Sequence, residues 1–156
     1  MDSPIDSLAG SDLIELTHQK IVGKPKIDLD HELLVQKTLL SAIQKNLVES
    51  AHDISNGGLA ITIAESCISG NLGFNGTTTQ SDRWDTALFG ENQSRIIISV
   101  KPEKLSTLKG LLSETKCPFL TIGFVGGKKL IFPKTLQIDV NEISEHWKNG
   151  LEKAVQ

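Results

Sequence analysis

Hydrophobic positions change their period several times along the chain, and each change marks an element. Leu33, Leu40, Ile43 and Leu47 recur on one face of a helix predicted over Leu29–Glu49, capped by Asp28 or Asp30, with Asp30 and Glu32 suiting its positive end. A second helix, about Leu59–Ser69, carries a small inward face of Ala60, Ile63, Ala64 and Cys67 and stops at Gly70. The nearly unbroken apolar run Arg95–Val100 reads as a strand covered on both faces. Pro102 opens a helix with Leu105, Leu108 and Leu112 in register. Leu120, Ile122 and Phe124 alternate in a strand, and Gly126-Gly127 then predicts a two-residue hairpin into Lys129–Phe132. Leu136, Ile138 and Val140 form a further strand, and Ile143, Trp147 and Leu151 the stripe of a closing helix. Shorter elements are a helix at Leu13–Leu16 capped by Ser11, a brief strand at Leu72–Phe74 before a loop over Asn75–Gln80, and a helix at Asp82–Leu88 ended by Gly90. The fold expected is an α/β (α+β) sandwich, a mixed β-sheet with packed helices. Residues 1–27, with Pro4, Gly10 and the GKPK stretch, read as an N-terminal arm and linker, and 28–156 as the domain proper.

Composition narrows the function classes. The 156 residues make one ordinary domain with 38% apolar residues and a net charge of −3. With 4% aromatic residues and no tyrosine, neither a basic face nor a base-stacking platform for nucleic acid is expected. The sequence has no apolar run of membrane-spanning length and no secretory leader pattern. Cys67 and Cys117 lack metal-type spacing and suit buried thiols in a reducing cytoplasm. Trp84 and Trp147 are expected to anchor the core, and His18, His31 and His146 to lie on helices or the surface.

Two polar, glycine-rich stretches stand out between apolar elements. In Ser50–Gly58, Asp53, Ser55 and Asn56 can cap a helix, while Gly57 and Gly58 let a backbone or a ligand come close. Amides at the start of the Leu59 helix either attract an anion such as phosphate or are satisfied by those caps. In Gly90–Arg95, Glu91 and Gln93 stand at the mouth of the buried strand; Arg95 can pair with Glu91 or Asp53, or hold a phosphate. The candidates for facing a substrate or phosphate are Asp53, Ser55, Gly57, Gly58, Glu91, Gln93 and Arg95, the alternative being a capped turn and an ion pair that ties loop to sheet; the two stretches are expected to converge. His52 suits a hydrogen-bonded structural role, and no catalytic or metal-binding residue is assigned. No Walker-type phosphate loop, HExxH or nucleophile elbow occurs.

Ala51-His52-Asp53-Ile54-Ser55-Asn56-Gly57-Gly58-Leu59-Ala60, followed by Ala64-Glu65, closely resembles the AHDxSDGGLAxxxAE segment of the phosphoribosylformylglycinamidine synthase family. Leu88–Arg95 and the strand into Val100 resemble that family's LFGExxSRxxxSV segment, and Leu8–Asp12 its LGGSE; Trp147 and Leu151 fit the family's end. One departure is Asn56, where the family shows aspartate, which weakens any metal role there. The resemblance implies a fold like the C-terminal domain of aminoimidazole ribonucleotide synthase. It also implies the last of four pieces of an enzyme converting formylglycinamide ribonucleotide to formylglycinamidine ribonucleotide in purine synthesis. Met1 before Asp2-Ser3-Pro4 then reads as a start inside a longer chain. ATP and Mg2+ would bind mainly outside this chain. The partners implied are the ATP-binding domains of the same polypeptide, a glutaminase subunit or domain, and the ribonucleotide substrate. The alternatives are a domain of another ATP-dependent enzyme of the same superfamily, or an interaction module without chemistry.

Overall fold

The computed structural model describes residues 8–77 and 83–154, with side chains to residue 150. Its helices are α1 (Asp12–His18), α2 (Leu29–Gln44), α3 (Gly58–Gly70), α4 (Trp84–Phe89), α5 (Leu105–Glu114, entered through a 3-10 turn at Pro102–Lys104) and α6 (Val140–Ala154). Its strands are β1 (Ser50–Asp53), β2 (Phe74–Gly76), β3 (Ile96–Ser99), β4 (Gly123–Val125), β5 (Lys129–Phe132) and β6 (Leu136–Asp139). Helices thus pack on mixed strand pairings, the class expected. The strands divide into an antiparallel β1–β3 ribbon and a four-stranded sheet ordered β4-β2-β5-β6.

Several expectations need correction. Gly126-Gly127 does not close a hairpin, because β2 lies between β4 and β5, antiparallel to the first and parallel to the second. Gly73 wedges into the gap: its N–H donates to the Gly127 carbonyl (2.9 Å), and its own carbonyl accepts from the Gly126 N–H (2.8 Å). The hairpin in this sheet is instead β5–β6, closed by the Thr135 N–H donating to the Phe132 carbonyl at 3.0 Å. The first long helix ends at Gln44, not Glu49. There Asn46 takes φ +54°, its N–H donating to Ile43 and that of Leu47 to Ala42, the paired bonds of a Schellman stop. Asn71 and Lys116 end α3 and α5 with the same pattern, so Gly70 is the last residue of its helix while Asn71 makes the left-handed turn.

The apolar stripe of α2 also faces the other way. Leu29, Leu33, Leu40 and Ile43 are exposed; Thr38 and Ala42 are buried, with Leu34 and Val35 packed beside them. Trp84 and Trp147 do not anchor the core, since both are more than half exposed (57% and 60%). The run Ile96–Ser99 is half-buried along its length, because its strand sits in a two-stranded ribbon. That ribbon separates two cores. One joins Leu59, Ile63, Phe74, Leu88, Leu130 and Phe132 and receives Ile97. The other joins Ala42, Leu47, Leu108, Leu111, Leu112 and Cys117 and receives Ile98 and Val100. Cys67 and Cys117 are buried as expected, and burial pushes both thiols above their ordinary titration range.

Candidate functional site

The two polar stretches meet because β1 and β3 pair. Asp53 lies opposite Ile96, and the Ile54 N–H donates to the Arg95 carbonyl at 2.9 Å. The chain leaving β1 therefore turns into α3 beside the chain entering β3. In that turn the Gly58 N–H donates to the Ser55 carbonyl (3.0 Å), and Gly57 and Gly58 take φ +76° and +69°. What approaches these glycines is the protein itself. A Cβ on Gly57 would collide with the Ile61 side chain, and one on Gly58 would lie 2.8 Å from the Leu88 carbonyl oxygen and from Phe89 backbone atoms. Gly58 thus lets the start of α3 seat against the end of α4, and Gly57 makes room for Ile61 in the first turn of α3.

Glu91 joins three segments. Its Oε1 accepts from the Gly57 N–H at 2.9 Å, 34 positions away, and from the Asp12 N–H at 2.8 Å, 79 positions away. A carboxylate suits this place, since amides at helix starts carry partial positive charge. Ser11 does stand at the N-cap of α1, but its hydroxyl donates back to the Leu8 carbonyl (2.8 Å), and the Asp12 amide is met by Glu91. Arg95 donates from Nη1 to the Gly90 carbonyl at 3.3 Å, holding the loop closed over its own strand. Asp53, Ser55 and Gln93 are exposed and face outward from this junction.

His52 is held from both sides. Nδ1 lies 2.8 Å from the Asp53 carbonyl oxygen, so that nitrogen is the donor, and Nε2 lies 3.3 Å from Glu65 Oε2. With Ser55, Ser69, Ile68 and Trp147 these two residues line a shallow depression of about 400 Å³. Among the described residues, no three His, Cys, Asp or Glu side chains stand together as a metal site. The carboxylate of Asp53 lies 3.7 Å from His52 Nδ1, and that of Glu91 is engaged with two amides.

Sequence reasoning passed over two contacts of this region and one buried amide. Ser94, at φ +63°, donates its hydroxyl to Glu32 of α2, and this bond, with that from Gln36, holds the Glu32 carboxyl below its ordinary range. Glu32 is 62 positions from Ser94, so no local spacing signals the pair. Asn92 buries its Nδ2 with no hydrogen-bond partner among the described residues. Glu65, within the first recognisable segment, reaches His52 because α3 folds back along β1.

The comparisons with known proteins agree with this architecture. A phosphoribosylformylglycinamidine synthase subunit PurL from Anaeromyxobacter dehalogenans (strain 2CP-C) is 34% identical over 155 residues, covering 92% of this chain and 20% of the relative. The subunit of the same description from Thermomicrobium roseum is 34% identical over 156 residues, covering 97% and 21%. The chain thus spans about a fifth of the length of these curated relatives. Among solved structures, phosphoribosylformylglycinamidine synthase II from Thermotoga maritima superposes with a TM-score of 0.67 at 19% identity, over 77% of this chain and 22% of that one. T. maritima PurL complexed with FGAR gives 0.63 at 20% identity, over 79% and 22%. T. maritima PurL complexed with ATP gives 0.62 at 19%, over 71% and 21%. At these identities the structures establish likeness of fold. The family model described as AIR synthase related protein, C-terminal domain, matches residues 7–135, most of the chain, and the chain belongs to that family.

Proposed function

We propose that this chain is the C-terminal domain of a phosphoribosylformylglycinamidine synthase. The observation that carries this reading is identity of about a third to PurL subunits across nearly the whole chain. The reaction implied turns formylglycinamide ribonucleotide into formylglycinamidine ribonucleotide. ATP activates the amide oxygen as an iminophosphate, and ammonia from glutamine displaces the phosphate. In this reading ATP-binding domains of the same polypeptide and a glutaminase complete the enzyme, in the cytoplasm. In this reading the exposed Asp53, Ser55 and Gln93 face a phosphate-bearing ligand, while Gly57, Gly58, Glu91 and Arg95, which bond or pack within the protein, shape the turn and loop that present them. Magnesium in this reading binds mainly in those other domains.

The 156-residue chain alone is expected to be inactive. Phosphoryl transfer needs an aligned nucleotide and groups that neutralise developing charge, and one arginine beside a glycine turn does not supply them. The test has two arms. The parent gene should restore growth to a purine auxotroph, and the purified chain should release no ADP from ATP with formylglycinamide ribonucleotide, magnesium and ammonium. Failure of complementation would overturn the assignment. Turnover by the isolated chain, abolished by Arg95→Ala, would show that the domain holds its own active site.

A further inference from the structure

The geometry points to Glu91 as a positioning residue that locks the N-terminal segment 8–18 and the Ser55–Gly58 turn to each other. A single oxygen, Oε1, accepts from both the Asp12 and the Gly57 amides, at 2.8 and 2.9 Å. Neither side is well held by itself. Helix α1 has 7 residues and buries none of them, and a helix that short has little stability alone. Ser11, 2% exposed, and the Gly10 N–H bonded to the Val22 carbonyl (2.8 Å) fold the segment onto itself. The bond to Glu91 fixes it to the turn. On the other side, Gly57 sits at φ +76° as the cap of α3, and α3 has no side-chain cap of its own. Its outward amide is met by a carboxylate from another segment, and a carboxylate only accepts. The segment read from sequence as an arm and linker thereby becomes part of what shapes the glycine turn. Its weight for catalysis rests on the proposed reading of that turn, but the coupling does not.

Amide exchange on the 156-residue chain tests the coupling. Glu91→Ala should speed exchange at Asp12 and Gly57 together, by roughly ten- to a hundredfold for loss of charge-assisted bonds. Tryptic cleavage at the exposed Lys20 and Lys26 should rise in parallel. Glu91→Gln keeps one oxygen that can accept both amides and should return most of the protection. Asp12→Pro guards against misfolding of the alanine variant. Proline is tolerated at the first helical position and follows the extended Ser11 (ψ 150°), yet it removes the donor; cleavage should rise with the core intact. A response at only one of the two amides, Glu91→Gln as open as Glu91→Ala, or unchanged cleavage in Asp12→Pro would each overturn the inference. Because the readout is protection rather than turnover, it can fail while the synthase reading stands, and the reverse.

Discussion

At Gly58 a side chain meets two obstacles together: φ of +69°, and backbone atoms of Leu88 and Phe89 2.8 Å from where Cβ would stand. Gly58→Ala should therefore destabilise by about 2 kcal/mol or more, read from the urea midpoint. Lys116 is the converse case, an exposed residue in a left-handed helix stop at φ +58°. Lys116→Gly should stabilise by roughly 0.5–1 kcal/mol, since glycine takes that conformation without steric cost. Two carboxylates carry a pH signature. The Arg83 guanidinium beside Asp85 holds that carboxyl at about 2, and hydrogen bonds from Ser94 and Gln36 hold Glu32 below its ordinary range. Both are depressed in the folded state, so their contribution is present above the unfolded values of 3.8 and 4.5. It is lost as pH falls through the folded values. In an NMR titration, Arg83→Ala should return Asp85 toward 3.8 and Ser94→Ala should move Glu32 up, each leaving the other in place.

Among the elements, α2 shows what periodicity tells and what it leaves open. The stripe at Leu33, Leu40 and Ile43 is real, yet the face that packs is lined by Leu34, Val35, Thr38 and Ala42. Spacing marks a face but does not say which neighbour it meets. Small residues such as Ala42 mark close approach only once that neighbour is known. Leu40→Gln should change stability by less than about 0.5 kcal/mol, whereas Ala42→Leu should cost about 1–3 kcal/mol by overpacking; thermal melts distinguish the two. The candidate site was more legible. Its glycines, its meeting of two polar stretches and its structural histidine follow from turn chemistry within a few residues, and the β1–β3 pairing brings the stretches together. Less legible was who satisfies whom. Glu91 reaches across 79 positions to Asp12, and Ser94 across 62 to Glu32, distances at which spacing carries no signal. Strand β2, three residues long, is too short to announce that it is central.

For the whole molecule, the two cores share the β1–β3 ribbon, with Ile97 facing one and Ile98 the other. Each core also holds one buried cysteine, Cys67 in the first and Cys117 in the second. Thiol alkylation can therefore follow each core separately, and the shared ribbon predicts that both thiols become reactive at one urea midpoint. Leu130→Ala and Leu108→Ala, in different cores, should each cost about 2–5 kcal/mol and move both thiols together. The placement of β2 bears on how such a molecule reaches its native state. Strands β4 and β5 are neighbours in sequence, joined by a glycine pair suited to a tight turn, and a local hairpin can zip within microseconds. In the native sheet those strands must stand apart to admit a strand synthesised some fifty residues earlier, whose parallel partner is distant in sequence. The stretch that most resembles a ready-made hairpin is thus a kinetic competitor of the fold: every chain that zips it first has to open it again before Gly73 and Phe74 can enter.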